Sequence, residues 1–160
     1  MLRFPQDRSG DAMECRPFVQ SDFAEYRRWF EDEPLNEQLG PMDEDWLAHV
    51  MADQEGQQLS VLRGGELVAV GGVCNATAEC PFWTITDIAV HPDLRQQGIG
   101  HCVVAGLLAL PQFRQPVRWQ AHVMPDNPAA RRFFVGLGWH CVAEPKVEDE
   151  MYSYAWSPAG

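Results

Sequence analysis

The chain has 160 residues, 46% hydrophobic and 22% charged, with a formal net charge of −11. That length suits one domain with a sizeable core, and so acidic a balance argues against a nucleic-acid partner. No apolar run approaches a membrane span, and residues 1–10 hold charges without an apolar signal core, so a cytoplasmic setting is expected.

In chain order, residues 1–12 read as a loose lead and residues 13–157 as a single domain. Residues 14–19 are a short strand candidate, broken by Pro17. Ser21 or Asp22 can cap a helix to Phe30, with Phe23, Tyr26, Trp29 and Phe30 as its apolar stripe. Residues 31–40 read as loop, holding Pro34 and Gly40. Met42 or Asp43 starts a second helix; Trp46, Leu47, Val50 and Met51 mark its buried face, and Gly56 ends it. Residues 59–62 and 67–74 form a hairpin about Gly64-Gly65. After a loop over 75–81, residues 82–90 are the next strand. Pro92 stops it, and Arg95 to Gly100 spell R-x-x-G-x-G. Val103, Val104, Leu107 and Leu108 then recur at helical spacing up to Pro111. A link over 111–116 leads to a strand over 117–123. Asn127 and Pro128 open a helix as N-cap and first residue, and Ala130, Phe133, Phe134 and Leu137 give its stripe. Gly138 closes it, Trp139 begins a strand, and a last strand lies near 151–156. The five cysteines (Cys15, Cys74, Cys80, Cys102, Cys141) lie in apolar or strand-like stretches and read as buried reduced thiols; no metal site is expected.

The 95–100 loop carries the chemistry. Two glycines in three residues let the backbone approach a ligand, and the helix they open aims its free N–H groups forward. With the helix dipole behind them and Arg95 beside them, these groups suit a phosphate or pyrophosphate. A tight turn with no ligand would use the same glycines. Neither G-x-x-x-x-G-K-[ST] nor G-x-G-x-x-G is present, which disfavours a P-loop or a dinucleotide fold.

Val90, Pro92, Arg95, Gly98 and Gly100 complete a V-x-P-x-x-R-x-x-G-x-G run that resembles the pyrophosphate segment of the GNAT superfamily of N-acetyltransferases. Asn127, Ala130, Phe134, Gly138 and Trp139 resemble that family's second signature, one helix and one strand later. The resemblance implies an α/β fold with a mixed, largely antiparallel sheet flanked by helices, and acetyl-CoA as cosubstrate. It implies that strands 82–90 and 117–123 splay apart around the cosubstrate. Ile88, Ala89 and Val90 would hold the pantetheine arm, with an N–H near Ile88 polarising the thioester. Arg95, Gln96, Gln97, Gly98, Ile99, Gly100 and His101 would hold the pyrophosphate, and Asn127 would touch the arm. Many members place a Tyr at position 134 to protonate the leaving thiolate; Phe134 would pack near the sulfur but has no proton to give. Tyr152 and Tyr154 are substitutes by type only.

A base is wanted for the acceptor amine. Asp87 and His122 are the candidates that the resemblance places on the two strands, and imidazole ordinarily titrates near neutrality. Each has a plain alternative, as a bulge acceptor or a satisfied histidine. Between Trp29 and Leu62 stand nine acidic residues and no Lys or Arg. They read as a solvated face or, more sharply, as a field steering a small cationic amine. Trp46 and Trp83 read as core. The expectation is an acetyltransferase acting on a small-molecule amine by direct transfer in a ternary complex. A protein amine as acceptor, a non-catalytic acyl-CoA-binding regulator and a homodimer remain open.

Overall fold

The computed structural model describes residues 2–4, 10–148 and 150–158. One sheet organises it, with strands in the order β1-β2-β3-β4-β5-β6-β8-β7. The strands are β1 Leu2–Phe4, β2 Met13–Pro17, β3 Gly56–Arg63, β4 Glu66–Cys74, β5 Trp83–Val90, β6 Trp119–Val123, β7 His140–Ala143 and β8 Tyr152–Trp156. Every pairing is antiparallel except β5 with β6. The helices are α1 Phe23–Trp29, α2 Glu33–Leu39, α3 Glu44–Ala52, α4 Ile99–Ala109 and α5 Pro128–Gly136.

The sheet is covered on both faces. Ile99, Val103, Val104 and Leu107 of α4 and Phe134 of α5 pack with Trp83, Ile85, Trp119 and Ala121. Opposite them, Tyr26 and Trp29 of α1, Leu35 of α2 and Leu47 of α3 pack with Val70 and Ala89. Trp83 lies against Phe113 and Trp119, and Trp46 packs edge-on to Phe18; both belong to the packing.

Local chemistry explains most boundaries. Gly64 and Gly65 take φ of 60° and 81°, as a two-residue hairpin turn that twists with its strands requires. Asp43 accepts from the Trp46 N–H to start α3, and Asn127 from the Ala130 N–H to start α5.

Three expectations are corrected. Residues 33–39 form α2 rather than loop: Asp32 accepts from the Leu35 N–H as N-cap, and Pro34 sits in the first turn, where its missing N–H costs nothing. Within the lead, Leu2–Phe4 pair with β2, and Phe4 is held where Gly106 of α4 leaves no Cβ in its way; residues 5–9 lie outside the described set. Of the cysteines only Cys15 is buried, its thiol pushed up to about 11 by desolvation. Cys102 is half-buried, and Cys74, Cys80 and Cys141 are exposed, because each of these three sits in an edge strand, a loop or a strand's outer end.

Candidate active site

β5 and β6 pair from Trp83–Trp119 to Ile85–Ala121 and no further. Beyond that point β5 has a free edge. His91 donates its N–H to Val68 of β4, so by alternation Ala89 also faces β4, while Ile88 and Val90 turn N–H and C=O into the gap. A cleft of about 920 Å³ runs through this gap. Ile88, Ala89, Val90, Arg95, Gln96, Gly98, Ile99, Gly100, His101, Asn127 and Phe134 line it, as do Asp87 and His122. Gln97 does not: its amide oxygen accepts from Arg63 at 3.4 Å on the other side of the loop.

The loop before α4 turns through two left-handed residues. Gly98 is the α4 N-cap in the left-handed region (φ 78°), with no side-chain cap, and Gln96 is left-handed too (φ 66°). Such a turn points successive N–H groups into one concavity at the positive end of a helix. Gly100 lies so close to Phe133 that a Cβ there would sit 3.2 Å from its ring. Arg95 grips Asp32 through both guanidinium nitrogens, at 3.2 and 2.5 Å. Chiefly through that bond, the Asp32 carboxyl is held below the usual range. The loop is thereby tied to the N-terminus of α2.

Asp87 sits on a bulge. Gly72 pairs with Asp87 and Val73 with Ile85, so Thr86 has no partner in β4. The extra residue resets the alternation: Ile85 and Ile88 both face the α4 side, and the Asp87 carboxylate is turned to the α1 side. It accepts from Gln58 Nε2 at 2.9 Å and from Thr86 Oγ1 at 2.8 Å. Burial nonetheless prevails and pushes the carboxyl above the usual range, although part of the residue still reaches the cleft. Burial and then the Asp87 charge raise the neighbouring Tyr26 hydroxyl as well. Gly72 makes the cluster fit, since a Cβ there would lie 2.3 Å from the carboxylate and 2.4 Å from Thr86 Oγ1. Gln58, Thr86 and Gly72 escaped the sequence reading. Their one signal was the Gly71-Gly72 pair inside a strand, which marks a bulge or a close approach.

His122 lies on the same face as Asp87, since its neighbours Ala121 and Val123 turn to the α5 side. Its Nε2 lies 2.8 Å from Gln120 Nε2 and its Nδ1 2.8 Å from Ser153 Oγ, across the β6–β8 ladder. Both ring nitrogens are thus engaged, with donor and acceptor roles that follow the tautomer. Phe134 reaches the cleft from α5, packed 5.0 Å from Trp139 and stacked 6.0 Å from Tyr154. Tyr154 is 2% exposed and receives the Arg131 Nε at 3.4 Å. It stands behind Phe134 and does not line the cleft. Tyr152 lies under the Arg131 guanidinium and does not line it either.

The acidic residues of 31–55 also stay out of the cleft. Asp32 and Asp43 cap helices, Asp53 accepts from the Glu55 N–H, and Glu44 lies 3.8 Å from Arg27.

A model of the acetyltransferase (GNAT) family matches residues 19–139, and the chain belongs to that family. No curated protein matches it by sequence. Among solved structures, the GNAT domain of S. lividans PAT is similar over 96% of this chain and 95% of its own, with TM-score 0.77 at 15% identity. An aminoglycoside acetyltransferase solved with coenzyme A is similar over 92% and 95%, with TM-score 0.76 at 17% identity. Spermidine N-acetyltransferase from Vibrio cholerae, solved with CoA and spermine, is similar over 92% and 96%, with TM-score 0.72 at 11% identity. At these identities the likeness is one of fold.

Proposed function

We propose that the protein transfers an acetyl group from acetyl-CoA to a primary amine, directly and within a ternary complex. The observation that supports this is one cleft at the gap between β5 and β6, lined both by the loop before α4 and by Asp87 and His122. Acetyl-CoA brings the acyl group activated as a thioester. The N–H groups from Gly98 to His101 would hold its pyrophosphate, and the free edge of β5 its pantetheine arm, as an added strand. The Ile88 N–H would then donate to the thioester carbonyl oxygen and stabilise the charge that develops there.

Asp87 grips the ammonium form of the acceptor and takes its proton, directly or through water. His122 orients the amine from β6, or shares that proton, once the Gln120 amide yields its Nε2. The nitrogen lone pair attacks the carbonyl carbon, and the C–S bond breaks with its electron pair on sulfur. The thiolate takes the proton that the Asp87 carboxyl has just received, since Phe134 has none to give, and the second proton on nitrogen leaves to water as the amide forms. An elevated carboxyl suits a group that both takes and returns a proton.

The test is thiol release from acetyl-CoA across an amine panel. Acceptor-dependent thiol supports the reading. Tight CoA binding by calorimetry, with no acceptor-dependent thiol from any amine, overturns it in favour of a binding regulator.

A further inference from the structure

Away from the α4 loop the cleft is lined largely by apolar side chains, with Gln38, Thr86, Asp87 and His122 among them, although the protein is acidic. Leu35 and Leu39 line it from α2, with Pro34 beside them. Met124 and Met151 close it from the other side. Val123 pairs with Tyr152, and both face α5. One step beyond that pair, Met124 and Met151 therefore turn to the same face as His122 and Ser153. Each of these methionines is 42% exposed, and both line the cleft. Thioethers on flexible stems suit an apolar body of variable shape.

Among the described lining residues, Asp87 is the one carboxylate. A polyamine or an aminoglycoside brings further ammonium groups, and each must stay hydrated or find an anion. Against Leu35, Leu39 and the two methionines it would meet no second anion, since Gln38 and Thr86 offer only neutral oxygens. The carboxylates of Asp32 and Asp43 are turned to helix N-termini, and that of Asp32 also to Arg95. They cannot serve a second ammonium without giving up those bonds.

On the reading that the site N-acetylates an amine, we infer that its acceptor is a monoamine on an apolar body, an arylalkyl- or alkylamine, and not a polycation. The single ammonium meets Asp87, and the hydrocarbon lies between α2 and the two methionines.

The experiment compares phenethylamine and hexylamine with spermidine and kanamycin as acceptors for the wild-type protein, by thiol release and product mass. The expected result is a kcat/KM for the monoamines at least tenfold above that for either polycation. Leu39→Asp, which supplies a second carboxylate, should narrow that ratio at least fivefold by improving spermidine. If spermidine or kanamycin equals or exceeds the monoamines, this inference is overturned while acetyl transfer stands. If no amine of either class releases thiol although CoA binds, the acetyltransferase reading fails and this inference with it.

Discussion

Asp87 is held where its charge is unwelcome. Burial raises its carboxyl, and the bonds from Gln58 and Thr86 recover only part of the cost. A residue that stores such a cost should let the fold gain stability when its charge is removed. In Asp87→Asn the amide can still meet both neighbours, because the Gln58 amide and the Thr86 hydroxyl can each reverse roles. The expected outcome at neutral pH is a higher melting temperature together with a fall in kcat/KM of at least about tenfold, or about 1.4 kcal/mol of transition-state stabilisation. CoA affinity should stay within about twofold, which calorimetry on the same sample checks. Phe134 makes the complementary case. It is buried against Trp139 and Tyr154, and its ring carries no donor. Phe134→Leu should cost about 1 kcal/mol of stability, since it trims packing without emptying the site, yet keep most of the maximal rate. Phe134→Tyr should do no harm. A collapse of turnover in a folded, CoA-binding Phe134→Leu protein would give the ring a role that its chemistry does not suggest.

The elements around the cleft are linked by Arg95 and Asp32. Asp32 caps α2 and holds the Arg95 guanidinium, which lines the cleft beside the loop proposed for the pyrophosphate. A bound pyrophosphate must therefore compete with this carboxylate and sit near its charge. Asp32→Asn keeps an equally good helix cap while removing that charge. It should tighten CoA by about two- to fivefold, the range that an exposed ion pair of up to about 1 kcal/mol allows, and calorimetry measures it. Gly98→Val should do the opposite. It forces a branched residue to φ 78° at the mouth of the loop, so CoA binding should be lost for about 1–2 kcal/mol of stability. The glycines and the caps at Asp43 and Asn127 were legible in the sequence because each is a local rule with a residue signature. α2 was not. Its seven residues are short for a periodic pattern, and Pro34 reads as a breaker until Asp32 is recognised as the cap. Gln58 could not be found either, because it meets Asp87 across two strands, 29 residues away in sequence.

The molecule as a whole carries two carboxylates with opposite effects on its acid stability. Asp22, at the start of α1, receives both guanidinium nitrogens of Arg16 at 2.7 and 2.8 Å, the Val19 N–H at 3.0 Å and the Ser60 hydroxyl at 2.8 Å. It thus ties α1 to β2 and β3. Burial alone would raise its carboxyl, but these donors outweigh burial and hold it below the usual range. An unfolded Asp titrates near about 3.9. For Asp22 the folded value is lower, so its contribution is complete above that pH and is lost as pH falls through the folded value. For Asp87 the folded value is higher, so the native state holds the extra proton between about 3.9 and that value. Stability therefore declines as pH rises through the Asp87 window. The wild-type melting temperature, followed against pH, should rise as the lowered carboxyls, Asp22 foremost and Asp32 and Glu25 with it, ionise, and fall as pH passes through the Asp87 window. Asp22→Asn should flatten the acid limb and cost about 2–4 kcal/mol at neutral pH, because it leaves Arg16 without its buried partner. For a chain of this size that is a fall in melting temperature on the order of 5–10 °C. Asp87→Asn should remove the descent and leave the acid limb in place. If both variants shift the curve uniformly at every pH, the two carboxylates titrate alike in the folded and unfolded chains, and the burial argument for Asp87 as an elevated acid fails with them.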